Sequence, residues 1–142
     1  MTRQIHQDVN QENYAQVVRY LANAKEDLQK AGKSEEGNRF KDKKYVRRAS
    51  GTAYSAVLMA VDIWLATKGI VPTKKERKSI DFYRNHLRKL DMKLLYDLNV
   101  AYDTLHLSGY YDGSLSRGNM TDGFDAASSI VKRIHPYAGA AQ

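Results

Sequence analysis

The pattern of apolar and polar positions along this chain is helical throughout. Its clearest segment is residues 45–69, where apolar side chains recur every three or four residues. These positions are Tyr54, Val57, Leu58, Val61, Trp64 and Leu65. Small residues on the other sides of the same segment would let a second backbone approach closely: Ala49, Gly51, Ala53, Ala56 and Ala60. The segment is therefore predicted to be the central helix of a bundle.

The helix before it is predicted to begin between residues 8 and 10 and to end at Ala31. Gly32 is a typical residue just past a helix end, because glycine readily adopts the left-handed conformation found there. Residues 32–42 contain two glycines and no apolar period, so they are predicted to form a loop. Asp42 at the end of this loop is a suitable N-cap for the central helix.

Further apolar stripes follow the central helix. Thr73 and Glu76 match the capping-box pattern and predict a helix that runs from Lys74 to Leu90. Asp91 either caps another helix or lies at a bend within one helix. The next stripe continues to Gly109.

A polar stretch from Ser108 to Met120 is predicted to be a loop, and it is long for a connection within a bundle. The last helix is predicted to begin at Thr121 or Asp122 and to end at Pro136. Residues 136–142 are predicted to be a frayed tail.

No stretch alternates apolar and polar residues, so no sheet is expected. The chain is predicted to be all-α, an antiparallel up-and-down bundle of four to five helices. Its 142 residues suffice for one domain with a single core. Residues 1–142 are therefore assigned to one domain, ordered over about 8–135.

Charge is concentrated in the middle of the chain. The formal net charge is +7, and residues 39–93 carry 15 Lys and Arg against 5 Asp and Glu. A basic region of this kind attracts polyanions such as RNA, or acidic partners. The alternative is an ordinary solvated face that keeps the protein soluble.

Composition also bounds where the protein acts. The chain has no cysteine, which excludes disulfides and thiolate metal sites. Its N-terminus has no apolar leader, and its longest apolar run, residues 56–61, ends at Asp62 and is too short to span a bilayer. A cytoplasmic protein without a membrane segment is predicted. Asp62 lies at the edge of the apolar stripe, where it would meet a basic residue or water.

The common catalytic and metal-binding motifs are missing from the sequence. It contains no HExxH, no Glu-x-x-His, no paired histidines at helical spacing and no glycine-rich phosphate loop. No metal, cofactor or catalytic residue is therefore predicted.

Two groups of residues are candidates for ligand binding. The first is Arg84 and His86 in the basic third helix, which are either phosphate ligands or part of an exposed face. The second lies in the predicted loop and just before it. Tyrosines there could stack on a base or sugar while an arginine binds a phosphate, or they could plug the end of the bundle. This second group is His106, Tyr110, Tyr111, Asp112 and Arg117.

The order of segments resembles the HEPN superfamily of helical bundles over about residues 12–135. The similar segments are RYLANAKEDLQKAG in the first helix, RRASGTAYSAVLMAVDIWLATKG in the second and GFDAASSIVKRI in the last, with a YYDG segment before it. The resemblance implies a homodimer. Many members of that superfamily cleave RNA without a metal, using an arginine followed four to six residues later by a histidine. That spacing is absent here, so no catalytic residue is carried over.

Three functions remain open on the sequence. The leading hypothesis is a non-catalytic HEPN-like bundle that binds a nucleotide, RNA or protein partner through its basic face and tyrosines. The first alternative is a divergent metal-independent ribonuclease, for which the only sets are His86 with Arg84 and His106 with Arg117. The second is an interaction subunit of a toxin–antitoxin-type pair.

Overall fold

The computed structural model describes the backbone of residues 3–135 and the side chains of residues 13–135. Within that range the protein is an all-α bundle, which confirms the predicted fold class. No strand forms there, only two isolated bridges that tie the 32–42 loop together and to Ser116. The elements are α1 (Arg3–Lys30), α2 (Lys43–Thr67), α3 (Lys74–Arg77), α4 (Ile80–Leu90), α5 (Met92–Ala101), a π-helix (Tyr102–Tyr111) and α6 (Arg117–Ile134).

The predicted central helix, α2, is confirmed as the core of the bundle. It packs against α1, the π-helix and α6, and its alanines at 49, 53, 56 and 60 are fully buried, as their small size predicted. By length and composition alone α2 could cross a membrane, but 61% of its most apolar window is buried inside the protein. Core helices of soluble proteins pass the same test, so this helix carries no information about location.

The first helix differs slightly from its prediction. It begins at Arg3 rather than between residues 8 and 10, and it ends at Lys30. Gly32 follows with φ of 70°, the left-handed conformation expected just past a helix end. The predicted tail, residues 136–142, lies outside the described residues.

The predicted third helix is two helices. The capping box of Thr73 and Glu76 is present as expected, with each side chain accepting from the other residue's backbone N–H. However, α3 is a single turn. Ser79 is extended (φ −110°, ψ 112°) and caps α4 by accepting from the backbone N–H of Phe82. A second cap inside an otherwise continuous stripe breaks the helix there.

Asp91 separates α4 from α5 instead of lying within a bent helix. Its backbone is extended (φ −160°, ψ 98°), and its Oδ1 accepts a 3.0 Å hydrogen bond from the backbone N–H of Leu94. Nε and Nη2 of Arg133 both donate to the same carboxylate at 2.9 Å. One residue thereby caps α5 and joins it to α6.

The predicted loop of residues 108–120 is wrong in most of its length. Residues 102–111 form a π-helix, and α6 begins at Arg117, four or five residues before the expected start, where Ser116 caps it by accepting from the N–H of Asn119. Gly109 lies so close to Ser50 that a Cβ would overlap its side chain. This close packing on α2 keeps residues 108–111 helical, although their polar composition is typical of a loop.

Candidate functional site: a groove along α2

Three neighbouring cavities lie along one side of α2. Their volumes are about 530, 500 and 370 Å³, and Leu58 lines all three. The α2 residues that line them extend from Arg47 to Ala66, roughly 28 Å along the helix at about 1.5 Å per residue. Because the cavities share lining residues, we describe them together as the α2 groove.

Five ring-bearing residues form an aromatic cluster in the wall of the α2 groove: Tyr54, Tyr102, His106, Tyr110 and Tyr111. His106 is at its centre. Its ring stacks on Tyr54 at 4.6 Å between centroids and meets Tyr111 edge-on at 4.9 Å. It is also nearly parallel to Tyr110, 6.2 Å away, and 5.2 Å from Tyr102. All of these separations lie in the range of aromatic contacts that stabilise a structure.

The π-helix explains how these rings come together. Its i→i+5 hydrogen bonds wind the backbone more widely than an α-helix does, so residues four and five apart lie one above another. Tyr102, His106, Tyr110 and Tyr111 have this spacing. Gly51 on α2 leaves room for the last part of the stack, because an added Cβ there would lie 2.9 Å from Cδ1 of Tyr110. π-helical turns are rare and occur often at functional sites.

The two cavities beside the aromatic cluster have basic walls. Arg47 and Arg48 line one, Arg77 and Lys78 line the other, and no carboxylate among the described side chains lines either. Nη2 of Arg47 donates a 3.4 Å hydrogen bond to the carbonyl oxygen of Tyr111, which holds the end of the π-helix. Arg48 and Lys78 are exposed. This part of the groove is therefore suited to an anion.

The remaining cavity contains the one carboxylate of the groove lining. Oδ1 of Asp62 accepts a 2.9 Å hydrogen bond from the hydroxyl of Tyr83, and its Oδ2 is 3.5 Å from Nε of Arg77. Burial raises the pKa of Asp62, while the Tyr83 hydrogen bond and the Arg77 charge oppose that rise. Of the two alternatives expected for this residue, a basic partner or water, the structure shows the basic partner, Arg77, while the carboxylate is 24% exposed.

Burial also sets the protonation of the aromatic cluster. It lowers the pKa of His106 from 6.5, so its imidazole is neutral at physiological pH. It raises the pKa of Tyr54, whose hydroxyl remains protonated. The cluster is therefore an uncharged ring surface beside basic side chains.

The structure divides the residues predicted to bind a ligand. His106, Tyr110 and Tyr111 come together in the aromatic cluster. Arg84 reaches its edge: the guanidinium carbon is 5.0 Å from the Tyr102 ring centroid, and Nε donates to Oδ1 of Asn99 at 2.8 Å. Arg84 belongs to the basic segment that was predicted as the third helix and is α4 in the structure. It contributes to the site as a half-buried residue and not as part of an exposed face.

Three predicted residues do not join the groove. His86 packs its ring against Phe82 at 4.7 Å, and Asp112 is exposed just past the π-helix. Arg117 opens α6 and lines a separate cavity, where its guanidinium donates to the carbonyl oxygen of Gly37. Neither arginine–histidine set considered from the sequence is brought into contact within one chain.

Some groove residues were assigned to the core alone by the sequence. Tyr54 is predicted from the sequence as part of the apolar stripe of the central helix, and Tyr83 and Tyr102 lie within the stripes that follow it. All three also line a cavity of the groove. The spacing of residues 102, 106, 110 and 111 was the available signal, since four- and five-residue intervals indicate one face of a wide helix. Among the described residues, no cluster of three or more His, Asp or Glu could hold a metal ion.

Comparisons place this all-α bundle in a family. The family model of a domain of unknown function, DUF5618, matches residues 12–136, and the chain therefore belongs to the DUF5618 family. A protein of unknown function from Dyadobacter fermentans has a similar structure, with a TM-score of 0.74 and 34% identity over 88% of this chain and 94% of that one. The comparison with curated proteins yields no match. Neither likeness carries an activity, and the HEPN-like interpretation stays a prediction.

Proposed function

We propose that the protein is a non-catalytic binding module for nucleotides, taken up either free or as part of single-stranded RNA. One observation carries this proposal: an uncharged aromatic cluster adjoins two basic cavities that, within residues 13–135, no carboxylate lines. Nucleotides combine a flat ring with a phosphate, so they match both parts of the groove.

The rings provide the contact surface for a base. Tyr110 and Tyr111 are 48% and 61% exposed, whereas Tyr54 behind them is buried. A base that stacks on an exposed tyrosine is held by about 1–3 kcal/mol. The half-buried ring of His106 contacts both exposed tyrosines and holds them in place, which lowers the entropic cost of binding.

The basic side chains provide the phosphate contacts. Arg48 and Lys78 lie on either side of the aromatic cluster, each in a cavity that His106 also lines. Arg47 has a second role at the end of the π-helix, so its charge serves both the fold and the ligand. A groove that recognises phosphate mainly by charge would tolerate different bases.

The test is binding of fluorescein-labelled single-stranded RNA, in EDTA at low salt, with unlabelled 5′-mononucleotides as competitors. Wild-type protein should bind, and a Tyr110→Ala/Tyr111→Ala variant should bind at least tenfold more weakly. Lys132→Ala is the control, because Lys132 is an exposed lysine of α6 that lines none of the three cavities. Equal affinity of the double variant and wild type would contradict the proposal.

The same reactions are run on a gel to detect cleavage. Intact RNA supports the non-catalytic form of the proposal. Cleavage that disappears in His86→Ala/His106→Ala would instead support the ribonuclease alternative. If the protein binds neither RNA nor nucleotide, the interaction-subunit alternative is favoured and the search turns to protein partners.

The HEPN-like homodimer is a separate part of the proposal and rests on the sequence resemblance. Light scattering of the purified protein at several concentrations measures it directly. A mass near twice 16.2 kDa is expected, and a monomer at every concentration would contradict the dimer.

A further inference from the structure

A fourth cavity, of about 430 Å³, lies away from the α2 groove between α1, the 32–42 loop and the beginning of α6. Its floor is apolar, formed by Leu28, Phe40, Met120 and Phe124. Phe40 is buried although it lies in a segment predicted from sequence to be a polar loop. The volume is within the range of about 300–1,000 Å³ typical of small-molecule sites.

The lining of this cavity is positively charged. Lys25, Lys33 and Arg117 contribute three cations, and Asp125 is its single carboxylate. None of these four residues forms an ion pair among the described residues. The excess of positive charge therefore has no paired carboxylate within residues 13–135, and an anion bound in the cavity would supply one.

Arg117 has unused hydrogen-bonding capacity. Its guanidinium has five N–H donors, of which one is given to the carbonyl oxygen of Gly37. Its carbon lies 5.8 Å from the ring centroid of Phe40, and its Nε is buried without a partner among the described residues. A buried donor without an acceptor is rare in proteins and indicates a missing partner.

From these observations we propose that the cavity binds a small amphipathic carboxylate. Its apolar body packs against Leu28, Phe40 and Phe124, with the fully buried Met120 directly beneath them, and its carboxylate accepts hydrogen bonds from the Arg117 guanidinium. Lys25 and Lys33 add positive charge at the rim. Guanidinium and carboxylate fit one another as a bidentate pair. The proposal is independent of the nucleotide proposal, since the two share no lining residue.

The probe is octanoate, observed through the methyl groups of [13C-methyl]methionine protein by NMR. Met120 lines this cavity, Met59 lines the α2 groove, and Met92 is 63% exposed elsewhere. Octanoate should shift the Met120 signal with saturation and leave Met59 and Met92 unchanged. Octan-1-ol has the same chain and no charge, and it should bind at least tenfold more weakly.

Variants separate binding from folding. Lys25→Gln/Lys33→Gln changes two exposed side chains and should weaken octanoate binding several-fold. Thr121→Trp places a large ring in the lining at an exposed position and should abolish the Met120 shift. Tyr110→Ala, in the groove, should bind octanoate like wild type. Arg117→Gln should also weaken octanoate binding. It removes the hydrogen bond to the carbonyl oxygen of Gly37 as well, so the test rests on the other variants.

Several results would overturn the proposal. Equal binding of octanol and octanoate would show that charge has no part in recognition. A shift of Met59 or Met92 equal to that of Met120 would show non-specific association. An unchanged Met120 signal at millimolar octanoate would show that the cavity does not accept this class of ligand.

Discussion

The hydroxyl of Tyr83 donates a 2.9 Å hydrogen bond to Oδ1 of Asp62 and so joins α4 to α2 inside the groove. The Tyr83 side chain is buried, while the carboxylate remains 24% exposed to the adjoining cavity. Arg77, on the single turn of α3, lies 3.5 Å from the other oxygen. Residues of three helices thus meet at the Asp62 carboxylate. Burial disfavours the ionised form of this carboxylate and so raises its pKa.

We expect Asp62 to make stability depend on pH in an unusual direction. Its pKa in the folded protein lies above the ordinary value of 3.8, so the folded state binds more protons than the unfolded state between those two values. The free energy of unfolding should therefore fall as pH rises through that window, and Asp62→Asn should remove this fall. Urea unfolding at several pH values measures it. Asp81→Asn, at a side chain that is 79% exposed, controls for the general effect of removing one carboxylate.

Tyr83→Phe should strengthen the same pH dependence. The hydrogen bond from Tyr83 lowers the pKa of Asp62, and without it that pKa should rise further. At pH 7 we expect a loss of about 1–3 kcal/mol, because the bond is made to a charged acceptor. In the Asp62→Asn background the same change should cost less, since the bond is then neutral. Equal costs in both backgrounds, measured as a double-mutant cycle, would contradict this account.

Two glycines that face the same interface should respond oppositely to alanine. In Gly109→Ala, the new Cβ would overlap Oγ of Ser50 and lie 2.6 Å from its Cβ, both within the packed core. We expect a loss of about 1–3 kcal/mol from overpacking. In Gly51→Ala, the atoms nearest to the new Cβ belong to the ring of Tyr110, which is 48% exposed and would turn outward at the cost of its contacts with His106 and Tyr111.

Gly51→Ala should therefore keep or slightly raise stability, since alanine favours a helix over glycine by up to about 1 kcal/mol. It should nevertheless weaken nucleotide binding, because Tyr110 would leave the aromatic cluster. Thermal unfolding and RNA titration of the two variants measure both effects. RNA affinity equal to that of wild type in Gly51→Ala would exclude Tyr110 from the binding surface.

Asp91 should contribute to stability through two separable interactions. Asp91→Ala removes both the N-cap of α5 and the partner of Arg133, so we expect a loss of about 1–3 kcal/mol. Asp91→Asn retains a capping oxygen but not the charge, and it should lose less. Chemical unfolding of both variants at pH 7 measures the difference. Equal losses would show that the cap contributes nothing.

The sequence predicted α2 and the N-caps of α2 and α3 well because their signals are local. Asp42 and Thr73 act on backbone N–H groups two or three residues away, and the apolar stripe of α2 is long. The apolar stripe predicted a helix as far as Gly109, but its π-helical winding and its last two residues could not be predicted in this way. The final residues, Ser108 to Tyr111, are typical of a loop, and they are held by the contact of Gly109 with Ser50, 59 positions earlier.

The candidate site was predictable only in part for the same reason. His106, Tyr110 and Tyr111 are close in sequence, so their association followed from one segment. Arg117 is close in sequence as well, but the start of a new helix at Ser116 turns it toward Gly37 and Phe40. No local sequence signal indicated that Arg117 turns away from the tyrosines. None indicated that Tyr54 of α2 contacts His106 of the π-helix.

The salt dependence of RNA binding tests the basic walls of the groove separately from its rings. For single-stranded RNA, each phosphate neutralised contributes about 0.7 to the slope of log affinity against log salt. Arg48→Ala/Lys78→Ala should therefore reduce the magnitude of the slope by about 1.4. Arg47 is left intact because it also holds the end of the π-helix.

Tyr110→Ala/Tyr111→Ala should lower affinity equally at every salt concentration and leave the slope unchanged, because stacking releases no counterions. Anisotropy titrations between about 50 and 200 mM salt distinguish the two variants. Lys132→Ala removes one charge and Arg48→Ala/Lys78→Ala removes two. If the reduction in slope for each charge removed were the same in both variants, RNA binding would depend on the net charge of the protein and not on the groove. A slope unchanged in the Arg48→Ala/Lys78→Ala variant would place the phosphates elsewhere on the molecule.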